Sequence, residues 1–283
     1  MSSTDRPMVR DVRAQAFDVI CAGDALPNID EGATFRPGGG AIDAALSLAA
    51  QGLRVGLATV LADDTSTRVL LEKVAASGID VGGVERASRA SGLVFIRGGA
   101  RQVISSREEE QPISVPATWS SEVLLLSGMS PVVSHAGALC KAARAGRRAG
   151  TIVVLDLHAR WDLWQGRDPR ALRMVVREAD VVCCDAQDLL GLRVDLPTLR
   201  SSMRRGAVLV SSDGVTHALA SGPFGEIAHV WEREATPAPF AEGHVFTAAI
   251  CSELALARAA HTDERSGALW KRALARAHPT RLR

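Results

Sequence analysis

Tyrosine is absent from the 283 residues, and aromatic side chains together make up only 4%. An interior built this way has to be filled by Ala, Val and Leu. Lysine occurs only at Lys73, Lys141 and Lys271, so arginine carries nearly all of the positive charge. With 33 basic and 32 acidic side chains the net charge is +1, which leaves no electrostatic case for a nucleic-acid partner. The short basic run Arg144–Arg148 reads as the solvated end of a helix, and the tail from Arg272 to Arg283 as solvent-facing. No stretch approaches the roughly 18 continuous apolar residues that a membrane-spanning helix needs, so no membrane partner is expected. The first 15 residues carry two acids and no apolar core, which excludes a secretory signal and predicts a flexible leader over 1–15. No Cys-x-x-Cys occurs, and the seven histidines show no zinc spacing. The cysteines, Cys21, Cys140, Cys183, Cys184 and Cys251, are odd in number and widely spaced, which predicts reduced, buried thiols in a cytoplasmic protein.

Hydrophobic residues at 47% and charged residues at 23% describe a globular chain with a large core. Apolar runs bounded by glycine predict strands at 16–22, 54–60, 123–127, 151–155, 179–184 and 207–210. Breaker-free stretches predict helices at 41–51, 66–77, 133–149, 169–178, 196–205 and 244–260. Gly98-Gly99 marks a hairpin between 91–96 and 101–106, and 218–220 with 227–230 suggest an antiparallel pair at the sheet's end. Between Asn28 and Pro37 there is room for at most a tiny hairpin. Strands alternating with helices predict a single α/β domain of three layers over 16–283, with a mostly parallel sheet. Ligands of such sheets bind past the C-terminal strand ends. Asp24, Asp156, Asp185 and Asp213 each follow a predicted strand and are the residues to examine.

Five stretches carry candidate chemistry, each with a plainer alternative. Pro37-Gly38-Gly39-Gly40-Ala41-Ile42-Asp43 joins a loop to a helix. Its glycines permit close backbone approach, and Asp43 in the first helical turn suits a substrate hydroxyl. A flexible turn with a capping acid explains the same residues. In Asp156-Leu157-His158-Ala159-Arg160-Trp161 an extended chain puts Asp156, His158 and Arg160 on one side. Arg160 then suits a phosphate or carboxylate, or a surface ion pair. Asp185 and Asp188 have the spacing to hold Mg2+ through water, or Asp185 caps a helix. Ser211-Ser212-Asp213-Gly214 offers hydroxyls to phosphates, or forms an ordinary turn. Ala241-Glu242-Gly243-His244 opens an apolar helix. There backbone N–H groups are able to cradle a transferred phosphoryl group and His244 to accept a proton, or the glycine only permits the turn into a core helix.

Taken in order, these pieces resemble the ribokinase-like, or PfkB-type, carbohydrate kinases, from about Val19 to Ala260. Gly23-Asp24-Ala25-Leu26-Pro27-Asn28 is similar to the family's opening Gly-Glu-x-x-x-Asp. Gly38-Gly39-Gly40-Ala41-Ile42-Asp43 is similar to its Gly-Gly-x-x-x-Asn sugar site, and Asp156 to Trp164 to the Asp-x-Asn-x-Arg of sugar-acid kinases. The Asn-x-x-Glu tied to Mg2+ and phosphate falls on Asp185 and Asp188, with Asp188 at the metal position. The Gly-Ala-Gly-Asp signature falls on Ala241 to His244. The resemblance implies a three-layer α/β/α sandwich with a minimal lid, reduced or absent here. It implies ATP and Mg2+ as cofactors and transfer of a phosphoryl group to a sugar or sugar-acid hydroxyl. It assigns substrate binding to Asp24, Asn28, Gly38, Gly39, Asp43, His158 and Arg160. It assigns nucleotide binding to Asp185, Asp188, Ser211, Asp213, Gly214, Ala241, Glu242 and Gly243, and catalysis to Gly243 and His244. A homodimer is a further family trait, weakened by the short lid.

The chain departs from that pattern where chemistry is concentrated. His244 stands for the catalytic Asp, Glu242 adds a charge to the anion hole, and Asp213 replaces a glycine beside the phosphates. Asn28 and Asp43 exchange acid for amide and amide for acid, and His158 replaces an Asn. These changes keep two other readings open: a ribokinase-fold protein that binds a small metabolite without turnover, and a kinase for a nucleoside or vitamin alcohol.

Overall fold

The computed structural model describes residues 14–32, 35–87, 93–97, 100–104, 113–127, 136–158, 170–213, 216–231 and 242–277. The strands are β1 (Gln15–Gly23), β2 (Asn28–Ile29), β3 (Phe35–Arg36), β4 (Val55–Ala62), β5 (Asp80–Ala87), β6 (Leu93–Arg97) and β7 (Ala100–Ile104). They continue with β8 (Trp119–Ser127), β9 (Ile152–Asp156), β10 (Val181–Cys184), β11 (Val208–Ser212), β12 (His217–Gly222) and β13 (Gly225–Val230). The helices are α1 (Gly40–Ala50), α2 (Thr65–Ala76), α3 (Ala136–Arg148), α4 (Arg170–Val176), α5 (Ala186–Leu192), α6 (Leu196–Ser202), α7 (Glu242–Ala259) and α8 (Gly267–Arg276).

Strands such as β4, VGLATVLA, and β9, IVVLD, are buried along their whole length. Continuous apolar runs of this kind belong to parallel sheets covered on both faces. The main sheet has nine strands in the order β13-β12-β11-β10-β9-β8-β1-β4-β5. From β11 across to β5 every neighbouring pair is parallel, and β12 and β13 close one edge antiparallel. Alternate residues feed opposite cores. Val19, Cys21 and Cys183 join α1, α2, α7 and α8 in one cluster, while Ile20, Ala22 and Cys184 join α3 to α6 in the other. The three-layer α/β/α architecture follows from that division. All five cysteines are free and buried.

Two elements were not anticipated. β5 carries two glycines and three charged residues in DVGGVERA, so no apolar run announces it. In α8 the residues Leu269, Trp270, Ala273 and Leu274 are buried against the core. The tail expected to be solvent-facing is therefore anchored up to residue 277: Arg272 and Arg276 stay half-exposed and pair with Glu253 of α7. The short hairpin read at 28–37 and the one around Gly98-Gly99 join into a second sheet of four strands, ordered β3-β2-β6-β7. Residues 1–13 of the expected leader, and the turn at 98–99, lie outside the described residues. Among the described residues no helix is long and apolar enough to cross a membrane.

Candidate active site

Parallel pairing brings the C-terminal strand ends level. Gly23 of β1 is in register with Ser127 of β8, and Cys183 of β10 with Asp156 of β9. Ser127 and Asp156 are each the last residue of their strand and are both buried. The Ser127 hydroxyl donates to Asp156 Oδ2 at 2.8 Å. His244, in the first turn of α7 and only 5% exposed, places Nδ1 at 3.1 Å from the same oxygen and 3.5 Å from Ser127 Oγ. The His158 ring lies against that of His244, with centroids 4.2 Å apart. Burial works to raise the Asp156 pKa. The hydrogen bond and charge of His244, the charge of His158 and the Ser127 hydroxyl outweigh it and hold the carboxyl below its ordinary value. In the hydrogen bond to Asp156 Oδ2, Nδ1 of His244 is the nitrogen placed to donate, which leaves Nε2 as the one able to accept a proton when the imidazole is neutral.

The extended path expected through Asp156, His158 and Arg160 does not hold. β9 ends at Asp156, and His158 has φ 37, in the left-handed region. The strand alternation stops there, because a residue of that φ turns the chain. Asp156 and His158 still converge, but through the bend and His244. Arg160 lies outside the described residues.

A second group joins this one through the backbone. Asp24 is 2% exposed, and its N–H donates to the Ser127 carbonyl at 3.1 Å. Its own carbonyl accepts from Ala41 N–H, in the first turn of α1, at 3.1 Å. Gly39, the residue preceding α1, has φ 98, and a Cβ there would lie 2.6 Å from the Asp24 carbonyl oxygen. Only glycine fits that approach. At Gly38 a Cβ would collide with the Asn28 side chain at 2.2 Å, so the turn and β2 touch. Asp43 follows in the first turn of α1. Asp24, Asn28, Gly38, Gly39 and Asp43 are therefore gathered about one turn, bonded to the strand end that carries Ser127.

On the other side, Asp185 and Asp188 form a reciprocal cap on α5. Asp185 accepts from Asp188 N–H at 2.9 Å and Asp188 from Asp185 N–H at 3.0 Å. The box uses one oxygen of each carboxylate, and hard oxygen donors of this type also suit Mg2+ through its retained waters. Ser211 ends β11 with Ser212. Asp213 folds its carboxylate onto Thr216 and His217, accepting from both backbone N–H groups at 2.8 Å. This is turn chemistry. Glu242 and Gly243 open α7; Gly214 and Ala241 lie outside the described residues.

Sequence reading singled out His158 and His244 separately and did not find Ser127. The signal for Ser127 is a polar residue closing the buried run VLLL at a strand's C-terminal end, as Asp156 closes IVVL. Nor did the spacing of the seven histidines reveal that two of them, 86 positions apart, meet on one carboxylate.

Residues 13–199 match the model of the pfkB family carbohydrate kinases, well over half of the 283 residues. The match ends ahead of α7, so the departures at Glu242 and His244 fall outside it. Solved structures of similar fold include fructokinase from Xylella fastidiosa with bound ATP, 20% identical over 90% of this chain and 88% of that one, TM-score 0.74. Aminoimidazole riboside kinase from Salmonella enterica, complexed with aminoimidazole riboside and an ATP analogue, is 19% identical over 93% and 91%, TM-score 0.76. Fructokinase from Vibrio cholerae O395, with fructose, ADP and calcium ion, is 17% identical over 93% and 90%, TM-score 0.76. No curated protein matches the chain. A family model matched over more than half of the sequence places this chain in the pfkB family of carbohydrate kinases.

Proposed function

We propose that the chain transfers the terminal phosphoryl group of ATP to a hydroxyl of a sugar or sugar acid, with His244 as the base. The observation that carries this reading is the Ser127–Asp156–His244 group, joined through the Asp24 backbone to the glycine turn before α1. It sets a basic nitrogen at the strand ends where such sheets hold ligands. His244 accepts the acceptor hydroxyl's proton as the oxygen–phosphorus bond forms, and the bond to the ADP oxygen breaks. Asp156 accepts the hydrogen bond from Nδ1–H and stabilises the imidazolium, and Ser127 keeps Asp156 oriented. The first-turn N–H groups of α7, including that of Gly243, face the charge that develops on the phosphoryl oxygens. Gly38, Gly39, Asp43, Asp24 and Asn28 position the acceptor, together with Arg160. Ser211 would serve the nucleotide, and Asp185 and Asp188 would hold Mg2+ through water, which would supply charge neutralisation there. The cytoplasm is the compartment that fits five reduced thiols.

A second reading, binding of a metabolite without turnover, is favoured by Asp213, whose carboxylate sits where the family has a glycine. A nucleoside-type acceptor has a precedent of fold in the riboside kinase. Titration calorimetry of ATP with Mg2+, and of a non-hydrolysable analogue, followed by an ADP-release screen over sugars, sugar acids and nucleosides, tests these readings. Saturable nucleotide binding with turnover lost in His244→Ala supports the kinase. Absence of binding by folded protein moves the assignment to the non-catalytic reading.

A further inference from the structure

We propose that Asp156, His158 and His244 form a binding site for one divalent first-row transition-metal ion, for which Zn2+ is the working probe. One ligand atom from each of the three lies within 4.8 Å of the other two. Ligands at the usual zinc distances of about 2.0–2.1 Å stand about 2.8–3.0 Å apart in octahedral and about 3.3–3.4 Å apart in tetrahedral arrangement. The His244 Nδ1 to Asp156 Oδ2 separation of 3.1 Å lies between the two, within about 0.3 Å of either. His158 is the partly exposed member of the set.

Three further features of the structure support a metal over a plain hydrogen-bond cluster. Two imidazoles sharing one carboxylate is a donor set that suits Zn2+ or Fe2+ and disfavours Mg2+, which takes oxygen ligands. The Ser127 hydroxyl, itself fully buried, donates to the ligating carboxylate in the way outer hydrogen bonds orient metal ligands. His158 holds φ 37, a backbone state that residues other than glycine adopt only at a cost and that gathers at functional sites. Here that φ turns the His158 ring back onto His244. Three protein ligands leave coordination positions open to water or a substrate oxygen, so the site is not a closed structural one.

This inference does not rest on the kinase reading. A metal on His244 engages the imidazole which that reading uses as the base, so Zn2+ would inhibit any phosphoryl transfer. Failure to bind metal would leave the kinase reading intact.

The test uses the full chain stripped with a chelator and then titrated with Zn2+ by calorimetry and with Co2+ by visible absorption. The expected result is one ion per chain, with d–d bands of a nitrogen- and oxygen-ligated Co2+. Affinity should fall at least tenfold in His158→Ala and in His244→Asn, with unchanged circular dichroism, and about tenfold in Ser127→Ala. His217→Ala is the control, since His217 and Asp213 form an exposed pair elsewhere and their loss should leave binding unchanged. No saturable binding overturns the proposal. So does binding that survives His158→Ala and His244→Asn, or that disappears with His217→Ala.

Discussion

Returning the family's residue at position 244 should damage this chain. Asp and Asn both place a terminal atom where His carries Nδ1, one bond beyond Cγ. In His244→Asn the amide nitrogen keeps donating to Asp156 Oδ2. In His244→Asp a second carboxylate oxygen arrives about 3.1 Å from it. Two unit charges at that distance repel by about 5 kcal/mol at an effective dielectric constant of about 20. The pair escapes by taking up one proton, which costs about 1.4 kcal/mol for each pH unit above the ordinary carboxylate value near 3.9, again about 5 kcal/mol at pH 7.5. His244→Asp should therefore be about 4–5 kcal/mol less stable than His244→Asn at pH 7.5. The sign with pH follows from the raised folded-state pKa of the shared proton. The deficit is small near the unfolded value, grows as pH rises, and levels off above the folded value. Near pH 5 it should shrink to about 1.5 kcal/mol. Urea denaturation of both variants at the two pH values, with chelator present, measures it. Equal stability of the two at pH 7.5, or a gap that does not narrow at pH 5, would refute the geometry of the Asp156–His244 pair.

Gly39→Ala should lose about 2–3 kcal/mol, because Ala resists φ 98 and its methyl meets the Asp24 carbonyl oxygen at 2.6 Å. A loss below about 0.5 kcal/mol in the same denaturation assay would mean the turn before α1 is not built as described. Trp270→Ala removes a side chain 1% exposed, together with its bond to the Glu264 carbonyl, and should cost about 3–5 kcal/mol; an effect under 1 kcal/mol would detach α8 from the core. Glu178 is held below its ordinary carboxylate value by the hydrogen bond from Arg144, burial opposing, with Arg147 adding to it. Its contribution is therefore present above the ordinary value and lost as pH falls through the folded one. Glu178→Gln should cost about 1 kcal/mol at pH 7, and the gap should close between about pH 5 and pH 3. A gap independent of pH would show that packing, not charge, is responsible.

How much of this was legible depended on the range of the interaction. The strands β1, β4, β9 and β10 announced themselves because a parallel strand buried on both faces has to be apolar throughout, and their order with intervening helices gives the α/β class. β5 escaped because an edge strand needs cover on fewer sides and tolerates DVGGVERA. α8 escaped because its buried face, Leu269, Trp270, Ala273 and Leu274, is interleaved with arginines that a charge count reads as solvent-facing. The glycine turn and the strand-end carboxylates were visible because each is a local motif. The centre of the site was not. Ser127, Asp156 and His244 come from β8, β9 and α7, and only the sheet's register puts the first two side by side. Read singly, His244 is a defect in a signature that should end in Asp. Placed on Asp156, with Ser127 behind it and His158 against its ring, it is one member of a mostly buried set in which Ser127 and His244 both hydrogen-bond the same carboxylate oxygen. A substitution that had merely lost the family's base would have no reason to be held at 3.1 Å from an ionised carboxylate, since burying two polar side chains is costly unless they pair. The pairing gives His244 a structural support of its own, and that support is what the isosteric variants interrogate.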